Sequence, residues 1–241
     1  MVTQILFGEY FEVLEEAEKW CRVKLAFDGY EGWVDKKMIT PLPIDIADKL
    51  KTEIPAVTTA SFNIVQSKNS YHNFLIVAGS SLPFFNPADN TFKIGDSTYV
   101  LHGNNLAAHP SVIRSALVEY GMNYFNAPYL WGGRSPFGID CSGLVQNLYK
   151  MCGITIPRDA SEQVKTGEFF SFVEEALPGD LAFFDNEEGA ITHVGLIWEK
   201  GRIIHASGQV RIDRIDHNGI FNVDTKQYSH KLRIIKRIIP V

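Results

Sequence analysis

A loop carrying glycine and proline runs directly into an apolar-periodic stretch, in the segment Tyr129-Leu-Trp-Gly-Gly-Arg-Ser-Pro-Phe-Gly-Ile-Asp-Cys-Ser-Gly-Leu-Val-Gln. Leu144, Val145, Leu148 and Tyr149 recur at the helical period, and Gly153 stops the run. A helix that begins here carries the Cys141 thiol on its first turn. Unpaired amide N–H groups and the helix dipole at that position favour thiolate over thiol.

Two histidines with strand-like flanks follow, His193 and His205. In a hairpin turning near Lys200 they stand at similar distances from the turn, so they are expected to meet across the ladder. His193 would then take the Cys141 proton, and His205 would hold the far nitrogen of His193. A lone cysteine before a helix, or a lone histidine in a strand, is usually a packing residue; the coincidence of all three carries the reading. No carboxylate is well placed as a further member. One Cys and two His could also bind zinc, but neither a fourth ligand nor an HExxH pattern accompanies them, so no metal or other cofactor is expected.

The 241 residues suffice for one to three domains. The 23 Lys and Arg against 28 Asp and Glu give a net charge of -5 with no basic run, which argues against nucleic acid or an anionic membrane as partner. Three cysteines, Cys21, Cys141 and Cys152, are too few and odd in number for a disulfide framework. No run approaches a spanning helix, and Met1-Val-Thr-Gln-Ile does not open a leader, so a cytoplasmic chain is expected unless an export signal was removed.

Residues 5 to 40 read as short strands, Tyr10-Phe-Glu-Val-Leu, Trp20-Cys-Arg-Val-Lys-Leu and Gly32-Trp-Val, with a turn at Asp28-Gly29. So small a unit should lean on a neighbour. A second β-like block spans residues 56 to 104, with strands near Phe74-Leu-Ile-Val-Ala, Thr91-Phe-Lys-Ile and Ser97-Thr-Tyr-Val-Leu. An amphipathic helix starts at Pro110 and runs through Val112, Ile113, Ala116, Leu117, Tyr120 and Tyr124. Trp20 and Trp33 are expected inside a small barrel. Trp131 is open to groove lining or packing, Cys152 to packing, and His72, His102, His109, His217 and His230 to surface or turn positions.

Tyr129-Leu-Trp-Gly-Gly, Gly138-Ile-Asp-Cys-Ser-Gly-Leu-Val-Gln, Pro157-Arg-Asp-Ala-Ser-Glu-Gln, Pro178-Gly-Asp-Leu, Thr192-His-Val-Gly-Leu and Ile204-His-Ala-Ser together resemble the NlpC-type cysteine peptidases of bacterial cell-wall metabolism. Phe7-Gly-Glu, Trp20-Cys-Arg-Val and Asp28-Gly-Tyr-Glu-Gly-Trp-Val resemble bacterial SH3-like domains. The resemblance implies an α+β chain: SH3-like barrels at 1–43 and, more divergent, at 56–104, then a papain-like catalytic domain at 108–241. It implies the γ-D-glutamyl-L-diamino acid endopeptidase subgroup, which cuts small murein peptides bearing a free N-terminal L-alanine. On that resemblance Cys141 is the nucleophile, His193 the base, His205 the third polar residue and Tyr129 an oxyanion donor. Asp140 and Ser142 would line the groove, and Trp131, from its place in the loop, is the further substrate-binding candidate. Arg158 and Asp159 would meet the D-glutamyl carboxylate and the amino end, and Glu9 or Glu31, with Tyr30, would hold the free amine. Ala160 stands where close relatives often carry Ser. A general wall endopeptidase and a non-catalytic murein-peptide binding protein are the alternatives.

Overall fold

The computed structural model describes residues 1–70, 72–103, 106–107 and 113–240. The chain divides into two compact units, Ile5–Ala108, and Met1–Gln4 together with His109–Val241.

The first unit opens with an antiparallel meander of β1 (Phe11–Glu16), β2 (Trp20–Leu25) and β3 (Glu31–Asp35). Strand parity sorts β2: Cys21, Val23 and Leu25 face inward while Trp20, Arg22 and Lys24 face out. Trp20 and Trp33 are therefore 49% and 50% exposed rather than buried, because their register places them with the charged residues. A short helix not foreseen from the sequence, α1 (Ile44–Leu50), follows Pro43. Then come β4 (Ala56–Val57), β5 (Phe62–Ser67), β6 (Asn73–Val77), β7 (Ser81–Leu82), β8 (Thr91–Ile94) and β9 (Ser97–His102). They form a β4-β7 pair and a sheet ordered β6-β5-β9-β8, in which the central strand β5 was not anticipated.

Val65, Ile76, Leu82, Phe92 and Leu101 make the core of that sheet. Phe7, which precedes β1, inserts its ring 5.3 Å from Phe74 and 6.0 Å from both Phe92 and Tyr99. The small meander thus leans on its neighbour through a partly buried aromatic anchor, which contributes less than the roughly 1.5–3 kcal/mol of a fully buried ring. Next to it, Gly8 adopts φ +77°, and a Cβ there would lie 1.8 Å from the Ser81 carbonyl oxygen.

The second unit contains α2 (Ile113–Met122), the β10 (Arg134–Ser135) and β11 (Gly138–Ile139) pair, α3 (Cys141–Met151) and α4 (Ala160–Gln163). Pro110 and Val112 of the expected helix lie outside the described residues. The strands are β12 (Glu168–Phe170), β13 (Leu181–Asp185), β14 (Ile191–Glu199), β15 (Arg202–Ser207), β16 (Gln209–Asp216), β17 (Gly219–Asn222) and β18 (Gln227–Arg237). Their order is β12-β18-β13-β14-β15-β16-β17, and β17 pairs again with β18, closing the antiparallel sheet on itself. Ala182, Phe184, Ile197, Ile203, Ile215, Ile220 and Ile235 fill its core. Every residue of α3 is buried, so the helix is a packed element rather than a surface one. Among the described residues no helix is long and apolar enough to cross a membrane.

Gly8→Ala should destabilise the first unit by at least about 2 kcal/mol, through left-handed strain and a backbone clash together. The control is Gly189→Ala, since Gly189 has φ +79° and nothing within 4 Å of the added carbon. Equal urea midpoints for the two variants would refute the packing argument.

Candidate active site

Cys141 begins α3 because Asp140 caps it. Asp140 Oδ1 accepts from the Gly143 amide at 2.7 Å, and Oδ2 accepts from the Gly132 amide at 2.7 Å, tying the loop to the helix start. Arg158 donates to both oxygens, Nη1 to Oδ1 at 3.0 Å and Nη2 to Oδ2 at 2.7 Å. Its Nη1 also donates to Ser142 Oγ at 2.8 Å, and its Nε to Thr3 Oγ1 at 2.9 Å. Asp140, Ser142 and Arg158 are all buried and turned toward one another. As placed, these three expected groove residues hold the loop and the helix start, because a buried carboxylate cap requires a paired counter-charge.

The thiol departs from expectation. Burial pushes Cys141 up to about 11, the Asp140 charge adds to this, and the Val194 and Ser142 amides with Arg158 only partly oppose it. The helix terminus offers about 0.3–1 kcal/mol. That is less than the about 1.4 kcal/mol that a tenfold change in acidity requires. Desolvation outweighs it, and the balance at the sulfur favours thiol over thiolate.

The Val194 amide that faces this sulfur follows His193 directly on β14. His193 Nε2 lies 2.9 Å from His205 Nδ1 on β15, the contact expected from the sequence. The route to it differs. Leu196 pairs with Ile204, which leaves His193 two positions beyond the residue that faces His205, so the rings meet diagonally. Gly195 makes room for this: a Cβ there would stand 2.9 Å from His205 Cβ and 2.6 Å from Ile203 Cδ1. Burial first, then His205 and His230, push His193 well below the usual imidazole range. Burial likewise lowers His205 against the pull of Asp213. Taken singly, both shifts favour the neutral forms, thiol and imidazole.

Three groups here escaped sequence reasoning. Asp213 Oδ2 lies 3.1 Å from His205 Nε2, and Arg211 clasps that carboxylate. The signal was available: His205 and Arg211 flank the tight turn at Gly208, and Asp213 repeats the inward parity of Arg211. His230, read as a surface or turn residue, stacks on His193 with ring centroids 4.1 Å apart. No local signal announced it, because the contact depends on the sheet closing through β18. One ring nitrogen from each of His193, His205 and His230 falls within 4.8 Å of the others. The interplanar angle of 25° and centroid separation of 4.1 Å between His193 and His230 confine their lone pairs to nearly parallel, offset planes, a poor convergence on one cation.

Tyr129 is half-buried, and burial followed by the charges of Cys141 and Asp140 pushes its hydroxyl up to about 12, so it remains a donor. Trp131 is 70% exposed in the same loop, which favours lining over packing. Asp159 sits at the start of α4, followed by buried Ala160. In the first unit Glu9 Oε2 accepts from the Leu6 amide at 2.8 Å, the Tyr30 amide donates to Asp28 Oδ1 at 3.0 Å, and Glu31 lies 3.9 Å from Arg22. Glu53, not singled out from sequence, accepts from the Phe84 amide while its buried Oε2 has no hydrogen-bond partner among the described residues.

Residues 126–229 match the NlpC/P60 family, and residues 1–39 match the bacterial dipeptidyl-peptidase Sh3 domain. A γ-D-glutamyl-L-lysine dipeptidyl-peptidase of Bacillus subtilis is 31% identical over 222 residues, covering 85% of this chain and 71% of its own. The chain belongs to the NlpC/P60 family. The protein of the same name from Bacillus cereus is 28% identical over 226 residues, covering 85% of this chain but 66% of its own length. The crystal structure of an NlpC/P60 family protein from Bacillus cereus aligns with a TM-score of 0.82 at 26% identity, across 99% of this chain and 82% of that one. The second unit is thus a papain-like NlpC/P60 domain with an SH3-like domain ahead of it. Both curated Bacillus relatives are named as dipeptidyl-peptidases, and this chain spans about two thirds of their length.

A resting neutral thiol predicts a particular alkylation profile. With Cys141 near 11, the iodoacetamide rate of the free NlpC/P60 protein should climb steadily from about pH 6 to about pH 9. A plateau across that range would reveal a thiolate–imidazolium pair and overturn the neutral assignment.

Proposed function

We propose that this peptidase hydrolyses the γ-D-glutamyl–diamino acid bond of murein peptides bearing a free N-terminal L-alanine, releasing L-Ala-γ-D-Glu. The observation that carries the reading is the 2.9 Å contact from His205 on β15 to His193 on β14, the strand whose Val194 amide faces the Cys141 sulfur. In the proposed reaction Cys141 loses its proton to His193 as sulfur attacks the amide carbon. The imidazolium then protonates the leaving amine, and a thioester remains. Water, activated by the same histidine, releases the dipeptide. The Tyr129 hydroxyl, held protonated, is the proposed donor to the oxyanion.

The names of the two curated Bacillus relatives, with lysine after the γ-D-glutamyl group, support the bond assignment. Recognition of a free ammonium calls for a carboxylate, and Asp159 is the candidate within the catalytic unit. We read the N-terminal blocks, 1–43 and 56–104, as two SH3-like barrels, the second divergent. Released wall peptides in the cytoplasm are the proposed substrates, and a general wall endopeptidase is the competing reading.

His193→Ala should abolish turnover almost wholly, whereas His205→Asn or His205→Gln should retain more, because an amide can still orient the base. Equal and total loss in well-folded variants would contradict these roles. For the substrate, mass spectrometry of digests should show rapid cleavage of L-Ala-γ-D-Glu-diamino acid peptides. N-acetylation of the alanine should lower kcat/KM at least about tenfold, the loss expected from one charge-assisted contact. Comparable cleavage of the free peptide, the acetylated peptide and intact wall would favour the general endopeptidase.

A further inference from the structure

His205 has two ring nitrogens with a partner each, and the nitrogen that holds its proton decides what His193 can do. Nδ1 lies 2.9 Å from His193 Nε2, and Nε2 lies 3.1 Å from Asp213 Oδ2. Arg211 opposes His205 across the β15–β16 ladder, and Asp213, two residues on, projects from the same face. Asp213 is buried, with Arg211 Nε donating to Oδ2 at 2.6 Å and Nη2 to Oδ1 at 3.1 Å. Arg211 is itself held by Asp224 at 2.7 Å. Burial alone would raise the Asp213 carboxyl, but its bonds to His205 and Arg211 outweigh this and hold it at about 2.

An ionised carboxylate only accepts hydrogen bonds, so His205 Nε2 must donate. In the neutral ring this leaves a lone pair on Nδ1, which accepts from His193 Nε2. A neutral His193 protonated on Nε2 has its own lone pair on Nδ1, the remaining nitrogen. His230 stacks on the His193 face at an interplanar angle of 25°, so its ring lies out of that lone pair's plane.

We propose that Asp213, clamped by Arg211, is a positioning residue that fixes the tautomer of His205 and thereby that of His193, leaving Nδ1 of His193 to take the Cys141 proton. This rests on Cys141 and His193 being nucleophile and base. In the step, the Sγ–H bond breaks and its proton passes to Nδ1. The sulfur pair bonds the carbonyl carbon, the carbonyl π pair moves to oxygen, and the Nε2 proton stays between the two histidines.

The test uses the full chain labelled with ¹⁵N-histidine, whose long-range ¹⁵N–¹H correlations report each tautomer without substrate. Wild type should show both His193 and His205 protonated on Nε2. In Asp213→Asn the amide N–H₂ can donate to His205 Nε2, and both tautomers should switch to Nδ1–H. On L-Ala-γ-D-Glu-Lys, kcat of that variant should fall at least about hundredfold while KM stays within about threefold. In a His205→Gln background, where the relay is already interrupted, the same substitution should change kcat less than about twofold. An equal loss in both backgrounds, or unswitched tautomers in Asp213→Asn, would overturn the proposal. So would a wild-type His193 protonated on Nδ1, which decides the matter even if Asp213→Asn does not fold. Because the spectra need no turnover, a wrong substrate assignment would leave the tautomer result standing.

Discussion

The buried pairing of Asp140 with Arg158 is the interaction on which the catalytic unit depends. One carboxylate caps α3, secures the Gly132 amide and accepts both arms of a guanidinium that also holds Ser142 and Thr3. Two ions this deeply buried are stable only when every charge is matched, and removing one partner of such a pair typically costs about 3–5 kcal/mol. The position of the thiol is a consequence of that network. Burial is the larger cause of its weak acidity, and the same carboxylate that starts the helix adds to it.

The histidines solve the problem this creates. A buried thiol that will not ionise alone needs a neutral acceptor, and burial keeps His193 neutral. The antiparallel ladder of β14, β15 and β16 delivers its supports in order, His205 on one strand and Asp213 with Arg211 on the next. Gly195 is the small residue that permits the diagonal meeting of the rings. Closure of the sheet through β17 and β18 then brings His230 onto the face of His193. Orientation here comes from sheet register, which is stiffer than any loop could be.

In the N-terminal unit the analogous constraint is apolar. A three-stranded meander has little core of its own, and Phe7 supplies what it lacks by entering the aromatic cluster of the following sheet. Gly8 lets the chain pass close against Ser81 just after that anchor. The outward Trp20 and Trp33 follow from the same economy of inner positions, since the inward places of β2 are taken by Cys21, Val23 and Leu25.

Local patterns alone determined the strand meander, the helix start at Cys141, the hairpin carrying His193 and His205, and the family, because each rests on neighbours in sequence: a cap, a period or a tight turn. Tertiary structure decided the rest. Asp213 needed a register and His230 a closed barrel, and neither can be read from one segment. The inward turn of Asp140, Ser142 and Arg158 needed partners from residues 3, 132 and 143. The acidity of Cys141 went against the local signal for the same reason. A helix N-terminus is a feature of sequence, but desolvation is set by everything packed around the sulfur, and in this fold it is the larger effect.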